Sequence, residues 1–415
     1  RALTILIADL ILVYFPGPWF IKILSILDNS TLFLLMKLKI RITNLSKFSL
    51  LLSCLILYSI SLKMIFKKIF SPAVSIIKLI IIFFLRFEIS YSQETFNKYF
   101  VNENGIVSIM YHRFNEFKYP STNIQMDVFE KHIDTIKSSG YKFLNPKMLP
   151  EIFSKEKLEK KFLLTIDDGY ISFYDNAWPY LKKNKIPFII FISTDAVGQN
   201  GYMNWDQIKE IEKFDYVTIG NHSHSHDYLV NFSFEQFKQD INKSIEIFKN
   251  NLGYNPIYFS YPFGEFSLEH TLFIKKHFKY GFGQHSGVID VNKNPYELPR
   301  FPINEKYGDL ERFTFNIDLL PLEYKKIIPE DKYITSNNPP NLEIEFFDNQ
   351  KNLKNINCFS DEGAGWKKTN IKFNNNKLLV NFSDKFNFRR GRINCSLNDT
   401  DGWRWFGLQF SVKLD

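Results

Sequence analysis

The stretch Thr165-Ile166-Asp167-Asp168-Gly169-Tyr170 constrains this chain most, because an apolar run, Phe162 to Ile166, ends on two adjacent carboxylates and a glycine. Such a run reads as a buried parallel strand, and residues just past its carboxyl end lie where α/β sheets and barrels place their ligands. Adjacent side chains on a strand point to opposite faces, so Asp167 and Asp168 reach one site only if the chain turns there, and Gly169 permits the turn. One carboxylate could then ligate a metal while the other stays free as a base. A strand end followed by a plain Asp-Gly turn fits the same residues, so the weight falls on what surrounds them.

From Gly105 the pattern is that of a folded α/β domain. Ile106 to Met110 reads as a strand ending in Tyr111-His112-Arg113, Asp127 to Ser139 as a helix, and Tyr141 to Leu144 as the next strand. After the acidic pair the alternation continues: helix 173–184, strand 187–192, helix 205–214, strand 217–220, helix 234–252, strand 257–260, helix 268–278 and a short strand near Tyr280. Repeated βα units imply a parallel sheet or barrel with its chemistry at one rim.

Two further clusters follow strands in the same way. Gly220-Asn221-His222-Ser223-His224-Ser225-His226 holds three of the protein's eight histidines. Imidazoles with a carboxylate suit Zn, Fe, Co or Ni, although a His-rich loop also occurs as an exposed turn. Ser260-Tyr261-Pro262-Phe263-Gly264 follows the strand at 257–260 and on its own reads as a strand-ending turn.

Together, Thr165 to Tyr170, His222 to His226 and Tyr261 to Gly264 resemble, in order and context, the motifs of the NodB-type polysaccharide deacetylases, a carbohydrate esterase family with a distorted (β/α) barrel. The resemblance covers about residues 105 to 320. Leu298-Pro299-Arg300-Phe301-Pro302 and Tyr111-His112-Arg113 look most like the branch that includes biofilm poly-N-acetylglucosamine deacetylases. Carried over by position, it implies Asp168, His222 and His226 as metal ligands, Asp167 as general base and the Phe263 backbone amide as oxyanion donor. His224 falls in a variable slot, and Asn221 is placed to support the first histidine. The implied reaction is metal-assisted attack of water on an acetamide, releasing acetate and a free amine.

Two positions depart from the family pattern. An arginine that orients the base commonly opens the third motif, where this chain has Ser260; Arg300 is the candidate to supply that charge from another strand. The late Leu-x-His motif that supplies a general acid is not visible after Pro302. His285, in the Gly-flanked loop Gly283 to Gly287, is the choice for that acid, with His112 in reserve.

A chain of 415 residues exceeds the roughly 250 at which single cores stop growing, so further units are expected. Residues 1 to 92 hold eleven Lys or Arg against three acidic residues, leaving 41 of each in the rest. The net charge of +8 is therefore no nucleic-acid footprint, and it belongs to membrane flanks. Apolar stretches at 2–15, 48–62 and 74–85 are each shorter than the ~20 residues a membrane helix prefers. Lys67, Lys68 and Lys78 ahead of Leu79 to Leu85, with Ser90-Tyr91-Ser92 behind, give a signal-peptide layout; a membrane anchor is the alternative. Because the chain opens on Arg1, either a fragment or an over-extended reading frame with its start at Met64 is expected. Either way an exported protein is implied.

Beyond Pro321, proline, lysine and asparagine mark a linker, 321–340, before short β-type runs in 341–415 that suggest a small β-sandwich-like domain. Cys358 and Cys395 both fall there and suit a disulfide in an exported protein, whereas Cys54 is in the leader. Trp366, Trp403 and Trp405 are expected in the core of that domain, with a glycan-binding surface as the alternative.

The sequence thus predicts an exported enzyme that uses a divalent metal, Zn2+ or else Co2+, Ni2+ or Fe2+, to remove N-acetyl groups from an amino-sugar polymer, with no nucleic-acid partner. An O-deacetylase and a non-catalytic glycan-binding protein remain as alternatives; the serine at 260 is the argument for the latter.

Overall fold

Residue parity decides what each strand shows to each side of the sheet. The computed structural model describes residues 105–154, 161–348, 350 and 352–413; the leader at 1–92, with its signal-like segment and Cys54, lies outside the described residues. The described residues belong to one compact unit. None of their helices is long and apolar enough to cross a membrane.

Six parallel strands stand side by side in chain order: β1 Gly105–Tyr111, β2 Lys161–Ile166, β3 Phe188–Ile192, β4 Val217–Asn221, β5 Tyr258–Ser260 and β6 Tyr280–Phe282. One parity carries Val107, Phe162, Leu164, Ile166, Phe188, Ile190, Ile192, Val217 and Ile219 against the helices. The other carries Ile106, Leu163, Ile189, Phe191, Tyr258, Tyr280 and Phe282 into a second cluster inside the curl of the sheet. Gly220 belongs to that inner row, and a Cβ there would stand 2.3 Å from the Phe191 ring. The missing side chain lets Phe191 fill the interior.

The expected barrel is realised as a curled sheet whose outer edge at β1 is mixed. β7 Val288–Asp290 pairs antiparallel with residues 105–107 of β1, while β8 Phe301–Pro302 pairs parallel with Ile109 and Met110. At the far edge, Leu298 bridges Phe282 of β6. The short stretch 298–302 therefore touches both edges and carries Arg300 between them.

Outside the curl lie α1 Met126–Ser138, α2 Trp178–Asn184, α3 Trp205–Glu212, α4 Phe234–Leu252, α5 Leu268–His277 and α6 Leu310–Ile317. The segment expected to open α2 at Phe173 forms a π-turn, Phe173–Ala177, ahead of Pro179, which lacks the N–H an α-helical interior needs. α4 starts on a capping box of Ser233 and Gln236 and stops at left-handed Gly253.

The C-terminal residues make two more sheets around one apolar core that includes Leu342, Ile344, Leu378, Ile393, Leu397 and Phe410. One holds β9 Leu320–Pro321, β11 Tyr333–Ile334, β13 Asn357–Asp361, β14 Trp366–Lys368, β17 Arg390–Asn398 and β18 Trp403–Val412; the other holds β10 Lys326–Ile328, β12 Leu342–Glu345, β15 Asn370–Asn374 and β16 Lys377–Asn381. Segment 321–340, expected as a linker, thus supplies strands to both sheets. Cys358 and Cys395 are cross-strand partners of β13 and β17 and form a disulfide. The tryptophans lie outside that core: Trp366 and Trp403 are exposed, and Trp405 packs against the helix-side core of the larger sheet. Strand parity turns these rings outward.

Candidate active site

Asp167 inherits its direction from β2, sharing the inward parity of Leu163 and Thr165. Asp168 then takes a left-handed φ of 74° and Gly169 one of 76°, so the chain reverses at the second carboxylate itself. Non-glycine residues seldom adopt that conformation, and it brings two neighbouring carboxylates to one side. At Gly169 a Cβ would stand 2.8 Å from Ile192.

Arg300 is fully buried and gives all five of its N–H bonds to named acceptors. Nη1 donates to Asp167 Oδ1 at 2.6 Å and to Thr165 Oγ1 at 3.2 Å. Nη2 donates to Asp167 Oδ2 at 2.8 Å and to Ser260 Oγ at 2.8 Å, and Nε donates to the Gly283 carbonyl at 2.9 Å. Ser260 also donates to Asp167 Oδ2 at 3.3 Å. A small residue at 260 leaves room for a guanidinium arriving from the segment that joins the sheet edges. Burial alone would raise the Asp167 carboxyl, but Arg300, together with His222, holds it below the ordinary range.

His222 continues the inward row of β4. Its Nδ1 donates to the Ser260 carbonyl at 2.7 Å, which leaves the neutral ring a bare lone pair at Nε2. That nitrogen faces Asp168 Oδ1 at 3.2 Å, and His226 Nε2 lies 3.0 Å from the same oxygen. His222 Nε2 and Asp168 Oδ1 are buried without a hydrogen-bond partner. Two acceptors face to face in a buried site repel unless a cation or a proton lies between them. Asp168, His222 and His226 present ligand atoms within 4.8 Å of one another, so this donor set fits a divalent cation. Burial would raise the Asp168 carboxyl, yet His226 and His222 hold it well below the ordinary range.

The loop carrying these histidines is pinned by α4. Asp240 and Ser244, four residues apart on one helical face, both reach it. Asp240 accepts from the amides of His224 at 2.9 Å and Ser225 at 3.0 Å. Asn221 donates to Ser244 Oγ at 2.8 Å and accepts from Ser223 N at 2.8 Å. His224 turns away from the carboxylates toward Thr194 and Asp195.

Phe263 sits at φ 58°, ψ 7°, with its ring 4.9 Å from that of His226 and 4.1 Å from that of Tyr228. His112 follows the end of β1, where Tyr111 pairs with Ile166 and the Tyr111 carbonyl accepts from Asp167 N at 2.9 Å. It is half-buried; burial lowers its imidazole against the pull of Asp168 and Asp167.

The structure sets His285 apart from this group. It lines a cavity of about 280 Å³ with Glu297, Lys332, Tyr324 and Trp405, on the side of the C-terminal sheets. Burial, then the charges of Lys332 and Arg300, push its imidazole down to about 4. Burial there favours the neutral ring, which is a weak acid for a departing amine. Thr165 and Ser260 were missed as anchors of Arg300; the parity of β2, counted back from Asp167, was the signal for Thr165.

Residues 154–280 match the family model "Polysaccharide deacetylase". This stretch, which carries both acidic and histidine motifs, is similar to the NodB-type polysaccharide deacetylases, which are hydrolytic enzymes. It is similar to the poly-beta-1,6-N-acetyl-D-glucosamine N-deacetylase of Staphylococcus aureus, at 29% identity over 232 residues that span 49% of this chain and 80% of the relative. Among solved structures it is similar to the Streptococcus pyogenes deacetylase PplD in complex with acetate, at 23% identity and a TM-score of 0.48, covering 52% of this chain and 99% of that one. IcaB from Ammonifex degensii is also similar, at 24% identity and a TM-score of 0.45, covering 52% and 97%.

Proposed function

We propose that this enzyme removes N-acetyl groups from an amino-sugar polymer of the poly-N-acetylglucosamine kind, with Asp167 as base and Asp168, His222 and His226 holding a divalent cation. The observation that carries the reading is the contrast between neighbouring carboxylates: Asp167 is fully hydrogen-bonded by Arg300, whereas Asp168 faces two imidazoles with its Oδ1 unsatisfied. Bound to that set, Zn2+, or Co2+, Ni2+ or Fe2+ with the same donors, would acidify a water molecule and polarise the acetamide carbonyl. Asp167, kept ionised by Arg300, takes the proton as water attacks. The Phe263 amide receives the developing oxyanion. Of the two candidate proton donors to the leaving amine, this reading prefers His112, at the end of the strand beside β2 and in the field of Asp168 and Asp167, to His285. Acetate and a free amino sugar leave.

The substrate class rests on the printed name of the Staphylococcus aureus relative. The stacked ring pairs Tyr170–Tyr202 and Tyr228–Phe263 would offer faces to sugar rings. The case for a non-catalytic protein lay in Ser260; Arg300 contacts the base in its place, which supports the catalytic reading. Residues 105–320 act as the catalytic domain and 341–415, with the strands that 321–340 adds, as a β-sandwich-like module, and export through the leader goes with a polymer substrate outside the cytoplasm.

The test is acetate release from N-acetylglucosamine oligomers by the full chain, metal-stripped and reloaded with zinc or cobalt, beside Asp167→Asn and His222→Ala. Metal-dependent release abolished by both substitutions is expected. Release that survives metal stripping, or that survives in Asp167→Asn, would refute the mechanism.

A further inference from the structure

The left-handed conformation of Phe263 is unfavourable for a residue with a Cβ, so neighbouring groups must hold it. Those groups come from the C-terminal sheets. Gln409 of β18 donates through Nε2 to the carbonyls of Phe263 at 2.9 Å and Gly264 at 3.1 Å. The next residue, Glu265, is buried, accepts from Arg389 Nε at 3.1 and 3.0 Å, and is ion-paired with Arg390, whose Nε lies 3.2 Å away. The Arg389 guanidinium also lies 3.5 Å over the ring of Tyr228, the ring that stacks on Phe263.

The same sheet reaches the loop beneath Arg300. Ser286 donates to Asn394 of β17 at 2.8 Å and accepts from Trp405 Nε1 at 3.2 Å, within three residues of the Gly283 carbonyl that receives Arg300. A sheet docked only for stability would bury apolar side chains here. Instead the contacts are polar, and those of Gln409 end on loop carbonyls. A buried ion pair such as Arg389–Glu265 is weak support for stability, because desolvation offsets much of its attraction. Its directional geometry is what it adds.

We infer that Arg389 and Gln409 are positioning residues of the deacetylase: from the C-terminal sheet they hold the Phe263 backbone in its left-handed conformation and so aim its amide at the reacting acetamide. This rests on the oxyanion role given to Phe263 above. The residues after 321 thereby complete the catalytic rim.

The test uses the full chain with Gln409→Leu, Arg389→Ala and Arg389→Lys. It reads kcat and KM for acetate release, cation affinity of the metal-stripped protein by calorimetry, and amide exchange of a peptide spanning 262–266. Misplacing one oxyanion donor predicts a kcat lower by about 10-fold in Gln409→Leu and about 10- to 100-fold in Arg389→Ala, with KM and cation affinity within about threefold. Exchange at 262–266 should quicken in both, and Arg389→Lys, which keeps the charge but loses the fork, should recover only part of kcat. Unchanged kcat, or a loss confined to KM, overturns the inference, as does unchanged exchange. Should Arg389→Ala fail to fold, Gln409→Leu decides, because it leaves Glu265 paired. If the wild-type chain releases no acetate, the substrate reading fails, and the exchange data still decide whether these residues hold the loop.

Discussion

Replacing Arg300 with methionine removes all five of its donated hydrogen bonds and leaves the buried Asp167 carboxylate with Ser260 Oγ at 3.3 Å as its remaining side-chain hydrogen bond. Breaking a buried pair from one side costs about 3–5 kcal/mol, because the surviving charge keeps its desolvation penalty without its partner. Asp167→Asn makes the reciprocal error, stranding a guanidinium between Phe191 and Phe282 at 5.3 and 5.8 Å. The double variant has neither charge, so its loss should be smaller than the sum of the singles by about 2–3 kcal/mol, in the range for residues in contact. Urea denaturation of the four metal-stripped proteins at pH 7 gives the cycle directly. Losses that add to within about 0.5 kcal/mol would mean that the two groups do not depend on each other. The account of how the base is held would then be wrong.

His112→Ala should lower kcat by about 10²- to 10⁴-fold, the usual worth of a general acid, with cation affinity unchanged by calorimetry; activity near wild type would remove His112 from the reaction. His132 is buried, its Nε2 directed at the Gly308 carbonyl and its Nδ1 at the Tyr111 hydroxyl, each at 2.8 Å, and burial pushes its imidazole down to about 4. The unfolded chain binds a proton near pH 6.5 that the folded chain refuses, so this contribution is fully present above pH 6.5 and is lost as pH falls towards 4. The loss is about 3 kcal/mol for a shift of this size, and urea midpoints from pH 8 to 4 should flatten in His132→Gln; identical profiles would exclude it. Joint replacement of Cys358 and Cys395 by alanine should cost about 2–4 kcal/mol by urea denaturation, since the disulfide closes a long loop. A loss below about 1 kcal/mol would show that the paired strands β13 and β17 already confine that loop.

The parallel strands were legible because each is an apolar run bounded by turn residues, and α4 lies at 234–252 as its spacing and caps imply. Strand β13, Asn-Cys-Phe-Ser-Asp, was not legible: alternating polar residues on a strand covered on one face look like loop. Asp167, Asp168, His222 and His226 stood out because their residue types are rare at strand ends. A Gly-flanked loop says nothing about which way the His285 ring turns, whereas position 112, directly after β1, constrains its side chain more tightly. Arg300 was legible only as a charge to replace the one missing at 260. Its path through the sheet needed the pairing of 298–302 with both edges.

That pairing ties the order of assembly to the chemistry. Arg300 and Asp167 are 133 residues apart, and contacts between such distant partners form late, after the local βα units have paid their loop-closure entropy. On that order of events, until 298–302 lies against β1 and β6 the row that ends in Asp167 would be open to water and its carboxylate solvated. Docking of that one short segment removes the water and delivers the guanidinium in the same step. The base is therefore never buried alone, and partly folded chains are spared an unpaired charge in their interior. Maturation of the catalytic carboxylate and closure of the sheet would then be a single event, and activity on refolding should appear with the last stage of folding.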